Sequence, residues 1–116
     1  MKEALLEQIK KLKDKKILVI VEGPKDKAAL EKFGIKEVIV LSKKPLYAVV
    51  EKVVAKAKEC AILTDLDKKG KQLYSRLAKD LKKFRVKVDD SFRNYLFKNT
   101  ALRQIEGLPH YVEEQT

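Results

Sequence analysis

ILVIVEGPKDKAALEKFG, residues 17–34, decides how the chain is read. An unbroken apolar run ends at Val21, and no polar residue interrupts it after Lys16. Continuous rather than alternating apolarity predicts a strand covered on both faces, as in a parallel sheet. The run ends on Glu22 and turns through Gly23-Pro24. Pro24 suits the first turn of a helix, where its missing N–H costs nothing. Ala29, Leu30 and Phe33 then give an inward helical face. Gly34 stands where a glycine commonly terminates a helix.

The same alternation extends in both directions. Upstream, Leu5, Leu6, Ile9 and Leu12 recur at helical spacing, so residues 2–13 read as an amphipathic helix. Downstream, EVIVL (37–41) is a second strand, and Pro45 restarts a helix carrying Leu46, Val49, Val50, Val53, Val54 and Ala57 on one face. AILT (61–64) is a short third strand. Residues 70–84 form the clearest helix, with Leu73, Leu77 and Leu81 stacked beside Tyr74, Ala78 and Phe84. Residues 85–88 are a fourth strand. A last helical pattern carries Phe92, Tyr95, Leu96, Leu102 and Ile105 and is expected to stop at Gly107-Leu108-Pro109, with a polar, frayed end beyond. Strands alternating with helices of crossover length predict an α/β domain with a parallel sheet.

At 116 residues, the chain suits one domain with a single core. The expected division is an N-terminal helix (1–14), a core (15–90) and a C-terminal helical extension (91–116). No apolar run reaches membrane-spanning length, and the charged N-terminus lacks a signal peptide's apolar centre, so the expectation is a cytoplasmic protein without a membrane partner. The lone cysteine, Cys60, excludes a disulfide within the chain. Lys and Arg number 27 against 17 acids, a formal charge of +10, which favours anionic partners such as nucleic acid. A charged fraction of 38% also suits a heat-adapted protein. Neither GxxxxGK[ST] nor GxGxxG is present.

Open α/β sheets hold their sites beyond the carboxyl ends of the strands. Glu22 is there after the first strand, and TDLDKKG (64–70) puts Asp65 and Asp67 there after the third. In an extended segment, residues i and i+2 point the same way. If the two strands are neighbours, three carboxylates converge, and oxygen-only ligation of this kind suits Mg²⁺ or Mn²⁺. Lys25, Lys27, Lys43, Lys44, Lys68, Lys69 and Lys71 all fall at the same edge, ready for phosphate. The competing explanation is helix capping, for which Asp and Glu are ordinary residues. Tyr74 and Tyr95 read as core, and His110 as a surface residue.

The ordered pair ILVIVEGPKD and AILTDLDKKG resembles the Toprim domain family of topoisomerases, bacterial-type primases, repair proteins and nucleases. The likeness spans roughly residues 15–90. It looks most like small stand-alone Toprim proteins, and next like the Toprim part of ribonucleases that mature ribosomal RNA. It implies a Rossmann-like Toprim fold: a four-stranded, mainly parallel sheet with helices on both faces, here with an extra N-terminal helix. It further implies Glu22 as general acid/base or shared metal ligand, and Asp65 and Asp67 as Mg²⁺ ligands. Gly23 and Gly70 would be backbone turns close to the site. Leu66 replaces the family's common proline and is expected to point away from the metal. The implied function is Mg²⁺-dependent phosphodiester chemistry on RNA or DNA, as a nuclease or RNA-processing protein. The alternative is a non-catalytic nucleic-acid-binding module within a larger processing or repair complex. The apolar stripe of the first helix suits either packing on the sheet or a homodimer contact.

Overall fold

The computed structural model describes residues 2–114. Elements follow in the order α1 (Lys2–Lys15), β1 (Leu18–Val21), α2 (Pro24–Glu31), β2 (Val38–Val40), α3 (Leu46–Lys56), β3 (Glu59–Ile62), α4 (Lys68–Lys83), β4 (Lys87–Val88) and α5 (Ser91–Asn99). A 3₁₀ turn (Ile105–Gly107) and α6 (Leu108–Glu114) complete the chain. The four strands form one sheet in the order β2-β1-β3-β4. Every pairing is parallel, with Val19 opposite Val38, Val19 opposite Ala61 and Cys60 opposite Val88.

Period-two alternation along the strands divides the core into two layers. Val19, Val21, Ala61 and Leu63 face a cluster built with Leu5, Ile9 and Leu12 of α1, Leu30 of α2, Phe92 and Leu96 of α5, and Leu108 and Val112 of α6. Ile20, Cys60 and Ile62 face the other way, onto Val49, Val50 and Val53 of α3 and Leu77, Ala78 and Leu81 of α4. Helices therefore cover both faces, which explains why β1 and β2 are apolar throughout, while the edge strand β4 carries the exposed Lys87. Of the α1 stripe, Leu5, Ile9 and Leu12 are spent inside the chain, and Leu6 stays exposed. Cys60 is wholly buried, and that burial pushes its thiol up to about 11.

Several boundaries differ from the sequence reading. Lys16 and Arg85, expected to open strands, instead adopt left-handed conformations with φ of 54° and 62°. Arg85 ends α4: its N–H donates to the Lys82 carbonyl and that of Val86 to the Leu81 carbonyl. These bonds satisfy carbonyls that the end of a helix leaves open. Glycine, the usual residue for such an end, is absent there, so the sequence carries no signal for it. At the C-terminus, Gly107-Leu108-Pro109 starts a helix rather than stopping one. Pro109 occupies the first turn of α6, and burial of Leu108 and Val112 holds the helix down. The expected frayed end is thus helical to Glu114, and residues 115 and 116 lie outside the described residues. Phe84, expected on the inward face of α4, is 60% exposed.

Candidate functional site

Because β1 pairs with β2 on one side and β3 on the other, the chain reverses its direction of winding between β1 and β3. The crevice beyond that point is where open α/β sheets bind ligands. The ladder runs one step past β3, with the Leu63 N–H donating to the Ile20 carbonyl at 2.7 Å. Glu22 and Asp65 therefore emerge side by side. The Asp65 N–H donates to Glu22 Oε2 at 2.7 Å. The adjacency that the sequence left conditional is thus made by a direct bond between the two segments.

Backbone N–H groups also hold the two aspartates. Asp65 Oδ1 accepts from Ile105 N–H at 3.0 Å. Asp67 is the N-cap of α4, its Oδ1 accepting from Gly70 N–H at 2.8 Å. Capping and site placement therefore coincide in Asp67. Leu66, between them, is buried, and its N–H donates to the Arg103 carbonyl at 2.7 Å. Its side chain points into the core, as expected from the alternation.

Burial raises the Glu22 carboxyl above its ordinary range, and the charges of Asp65 and Asp67 push the same way; the Asp65 N–H and Lys69 oppose them. Asp65 is raised likewise, by burial and then by Asp67 and Glu106, against Ile105 N–H and Arg93. Two acids that the sequence reading did not select join this field. Asp26 is 7% exposed, accepts from Gly23 N–H at 2.9 Å, and is raised by burial and by Asp65, Glu106 and Glu22. Glu106 lies on the 3₁₀ turn. Asp26 was visible in principle, as the third residue of a helix opening at Pro24. Glu106 carries no local signal.

The donor set suits a hard divalent cation, being all carboxylate and partly open to water. Mutual repulsion among the acids is the field that such a cation relieves. Among the described residues, no three His, Cys, Asp or Glu stand close enough to form a ligand set on their own. Any cation bound at this edge would therefore take much of its shell from water or phosphate oxygens, as Mg²⁺ commonly does.

The seven lysines follow the strand ends as expected. Lys25 and Lys27 lie in the first turn of α2, Lys43 and Lys44 on the loop after β2, and Lys68, Lys69 and Lys71 in the first turn of α4. All are exposed except the half-buried Lys27. A cavity of about 1020 Å³ opens at the opposite end of the strands, around Lys13, Lys16 and Lys58, and none of the site acids lines it.

The two glycines differ. A Cβ on Gly70 would lie 1.9 Å from the Asp65 carbonyl oxygen, so only glycine permits this approach of α4 to the acidic loop. Gly23 has extended backbone (φ −143°), and a Cβ there would meet only Asp26 Oδ2, at 3.8 Å. The turn after β1 therefore meets no contact within the chain that demands glycine.

The acidic loop is held from below by Arg93 of α5. This arginine is 7% exposed. Its guanidinium donates to the Thr64 carbonyl and, at 3.2 Å, to that of Asp65. It stacks over the Tyr74 ring at 4.7 Å, and Tyr74 Oη donates to Asp90 at 2.6 Å. Tyr74 is thus partly buried, as expected, but tied into a polar network, and its hydroxyl is pushed up to about 12 by burial and by Asp90. Local sequence rules gave no sign of Arg93, because only packing turns it inward. Arg93→Ala is expected to lower unfolding free energy by about 3 kcal/mol, since two buried carbonyls lose charged donors. Arg93→Lys should recover less than half, as an ammonium lacks the planar fork. Urea unfolding of the three proteins checks this, and an alanine variant as stable as wild type would refute the clamp.

Comparisons with known proteins converge. The Toprim domain description matches residues 17–91. A UPF0292 protein of Methanocaldococcus jannaschii is 34% identical over 119 residues, covering 97% of this chain and 93% of its own length. A UPF0292 protein of Pyrococcus abyssi is 43% identical over 101 residues, covering 86% of this chain and 75% of its own. A solved structure of a protein from Aquifex aeolicus superposes with a TM-score of 0.80 at 38% identity, covering 86% of this chain and 94% of that one. The Toprim match ends before Arg93 and Ile105, so the segment that clamps Thr64 and Asp65 lies outside it.

Proposed function

Since the chain belongs to the Toprim domain family, with the metal-dependent, nucleic-acid-related function that membership implies, we propose that it performs Mg²⁺- or Mn²⁺-dependent phosphodiester chemistry on RNA or DNA. A nuclease or RNA-processing activity is the concrete form. The observation that carries this is the bond from Asp65 N–H to Glu22 Oε2, which brings the two acidic motifs together at the strand ends. Asp65, Asp67 and Glu22 would hold the cation, which when bound supplies positive charge to a phosphate and its leaving oxygen. Glu22 would move the proton, or share the cation, from its place beside the Asp65 N–H. Lys25, Lys27, Lys43, Lys44, Lys68, Lys69 and Lys71 receive the phosphate backbone. Gly70 lets α4 close on the acidic loop, and Gly23 lies beside the Asp26 carboxylate.

A second reading, a binding module that grips nucleic acid without cutting it, is favoured by one observation. Each of the three acids already spends an oxygen on a backbone N–H, and they form no complete ligand set by themselves. Cleavage and gel-shift assays on structured RNA, single strands and duplex DNA separate the two. With Mg²⁺ or Mn²⁺, wild type is expected to cut at least one substrate, and chelator or Asp65→Asn/Asp67→Asn abolishes the cutting. Binding without cutting on every substrate selects the module. Absence of binding at low salt overturns both, since lysine–phosphate contacts are strongest there. Among the described residues, no helix is long and apolar enough to cross a membrane.

A further inference from the structure

Beside the acidic loop lies a feature that neither the acids nor the strand-end lysines explain. Phe97, on the outer face of α5, is 43% exposed. Lys71 Nζ stands 4.7 Å from its ring centroid and the Arg103 guanidinium 5.2 Å from it. Two cations thus flank one exposed phenyl ring. Both lead back to the acids: Lys71 sits one turn into the helix that Asp67 caps, and the Arg103 carbonyl binds Leu66 between Asp65 and Asp67. Arg103 also lines a cavity of about 410 Å³ together with Asp67, Gln104 and Tyr111.

From this arrangement we infer that Phe97, Lys71 and Arg103 form a stacking platform for an unpaired base of a single-stranded polynucleotide, set beside the acidic site. The inference rests on the function proposed above and narrows its substrate to single-stranded or locally unpaired nucleic acid. With both cations over the ring, a base stacks on the outer guanidinium plane of Arg103, which Phe97 backs, or takes the place of the Lys71 ammonium on the phenyl face, and the cations meet the adjoining phosphates. In a duplex, bases are stacked on each other and offer no free face. The local charge also selects the occupant: a cationic rim around an aromatic ring suits a polyanion with flat rings. An apolar protein surface would leave the charges of Lys71 and Arg103 desolvated without a counter-charge.

The test uses the full chain with single-stranded RNA and single-stranded DNA carrying 2-aminopurine, and with a duplex of the same sequence, in Ca²⁺ to hold back cleavage. Wild type is expected to quench the 2-aminopurine of at least one single strand. Phe97→Ala should abolish the quench and weaken single-strand binding about tenfold, the loss of one stacked base, while duplex binding changes less than twofold. Phe97→Trp should restore quench and affinity. Because Phe97 is exposed, thermal melting should show the variants folded. Equal affinity of wild type and Phe97→Ala for single strands overturns the platform. So does an equal loss on duplex, which would make Phe97 a general contact. In both cases the nucleic-acid reading of the acidic site stands, because wild type still binds nucleic acid, and the cleavage assay above decides between nuclease and module. No binding to any strand by wild type overturns the proposal and the platform together. The relative response of the RNA and DNA arms states which sugar the platform accepts.

Discussion

Glu22→Gln is expected to lower turnover by about a hundredfold or more, the usual range for a lost general acid or base, while nucleic-acid affinity changes little. The substitution is nearly isosteric. A Gln side-chain oxygen can still accept from Asp65 N–H, so the loop between β3 and α4 stays in place. Stability should hold or rise. Burial and the Asp65 and Asp67 charges raise the Glu22 carboxyl in the folded chain. A carboxyl whose folded pKa exceeds its unfolded value favours folding below the unfolded pKa and loses that contribution as pH climbs through the folded one. At neutral pH the charged Glu22 is thus a cost that Gln removes. The expected signature is lost turnover with a melting temperature at or above that of wild type in chelator. Divalent cation should raise the melting temperature of wild type more than that of the variant, because ligand binding to the folded state stabilises it. Turnover surviving in Glu22→Gln, with contaminating nuclease excluded, would remove Glu22 from the chemistry.

Gly70→Ala carries the second large effect, on the fold of the site itself. The added methyl would stand 1.9 Å from the Asp65 carbonyl oxygen and 2.5 Å from its carbon. Both are backbone atoms, so no rotamer change relieves the clash. The first turn of α4 must move away from the acidic loop. That movement stretches the bond from Thr64 Oγ1 to the Gly70 carbonyl, 2.7 Å and wholly buried, and the Asp67 cap on Gly70 N–H. Overpacking against a rigid wall costs about 3 kcal/mol, or roughly 10–20 °C of melting temperature in a domain near this size. Gly23→Ala is the control, expected to cost under about 1 kcal/mol because the backbone there is extended and uncrowded. Calorimetry of both variants checks the contrast. Equal melting temperatures for Gly70→Ala and wild type would mean that α4 does not approach Asp65 this closely in solution.

Both substitutions act where two distant segments meet, which is also where sequence reading reached its limit. The α/β class was legible because the two central strands are apolar over most of their length and alternate with segments that carry an apolar helical face. Glu22, Asp65 and Asp67 were legible because acids at the carboxyl ends of such strands are conspicuous, and because the ordered motif pair is specific. The close packing that requires Gly70 was expected from its place after the acidic pair, and the geometry supplies the reason. At Gly23 the backbone is extended and uncrowded, so no contact within the chain imposes glycine there.

What the sequence determined by itself is local: hydrophobic period, turn chemistry and the order of elements, all set by interactions within a few residues. The strand order, and with it the meeting of Glu22 with Asp65, was decided by tertiary pairing, since parallel neighbours are not specified by any local pattern. The roles of Arg93, Ile105, Asp26 and Glu106 around the acidic loop were decided the same way. So was the start of α6 at Leu108, where burial of Leu108 and Val112 outweighs a Gly-Leu-Pro stretch that reads as a stop. The physical reason is common to all of them. A side chain's direction into a core or a site is fixed by what packs against it from far along the chain, and that partner appears only once the chain has folded.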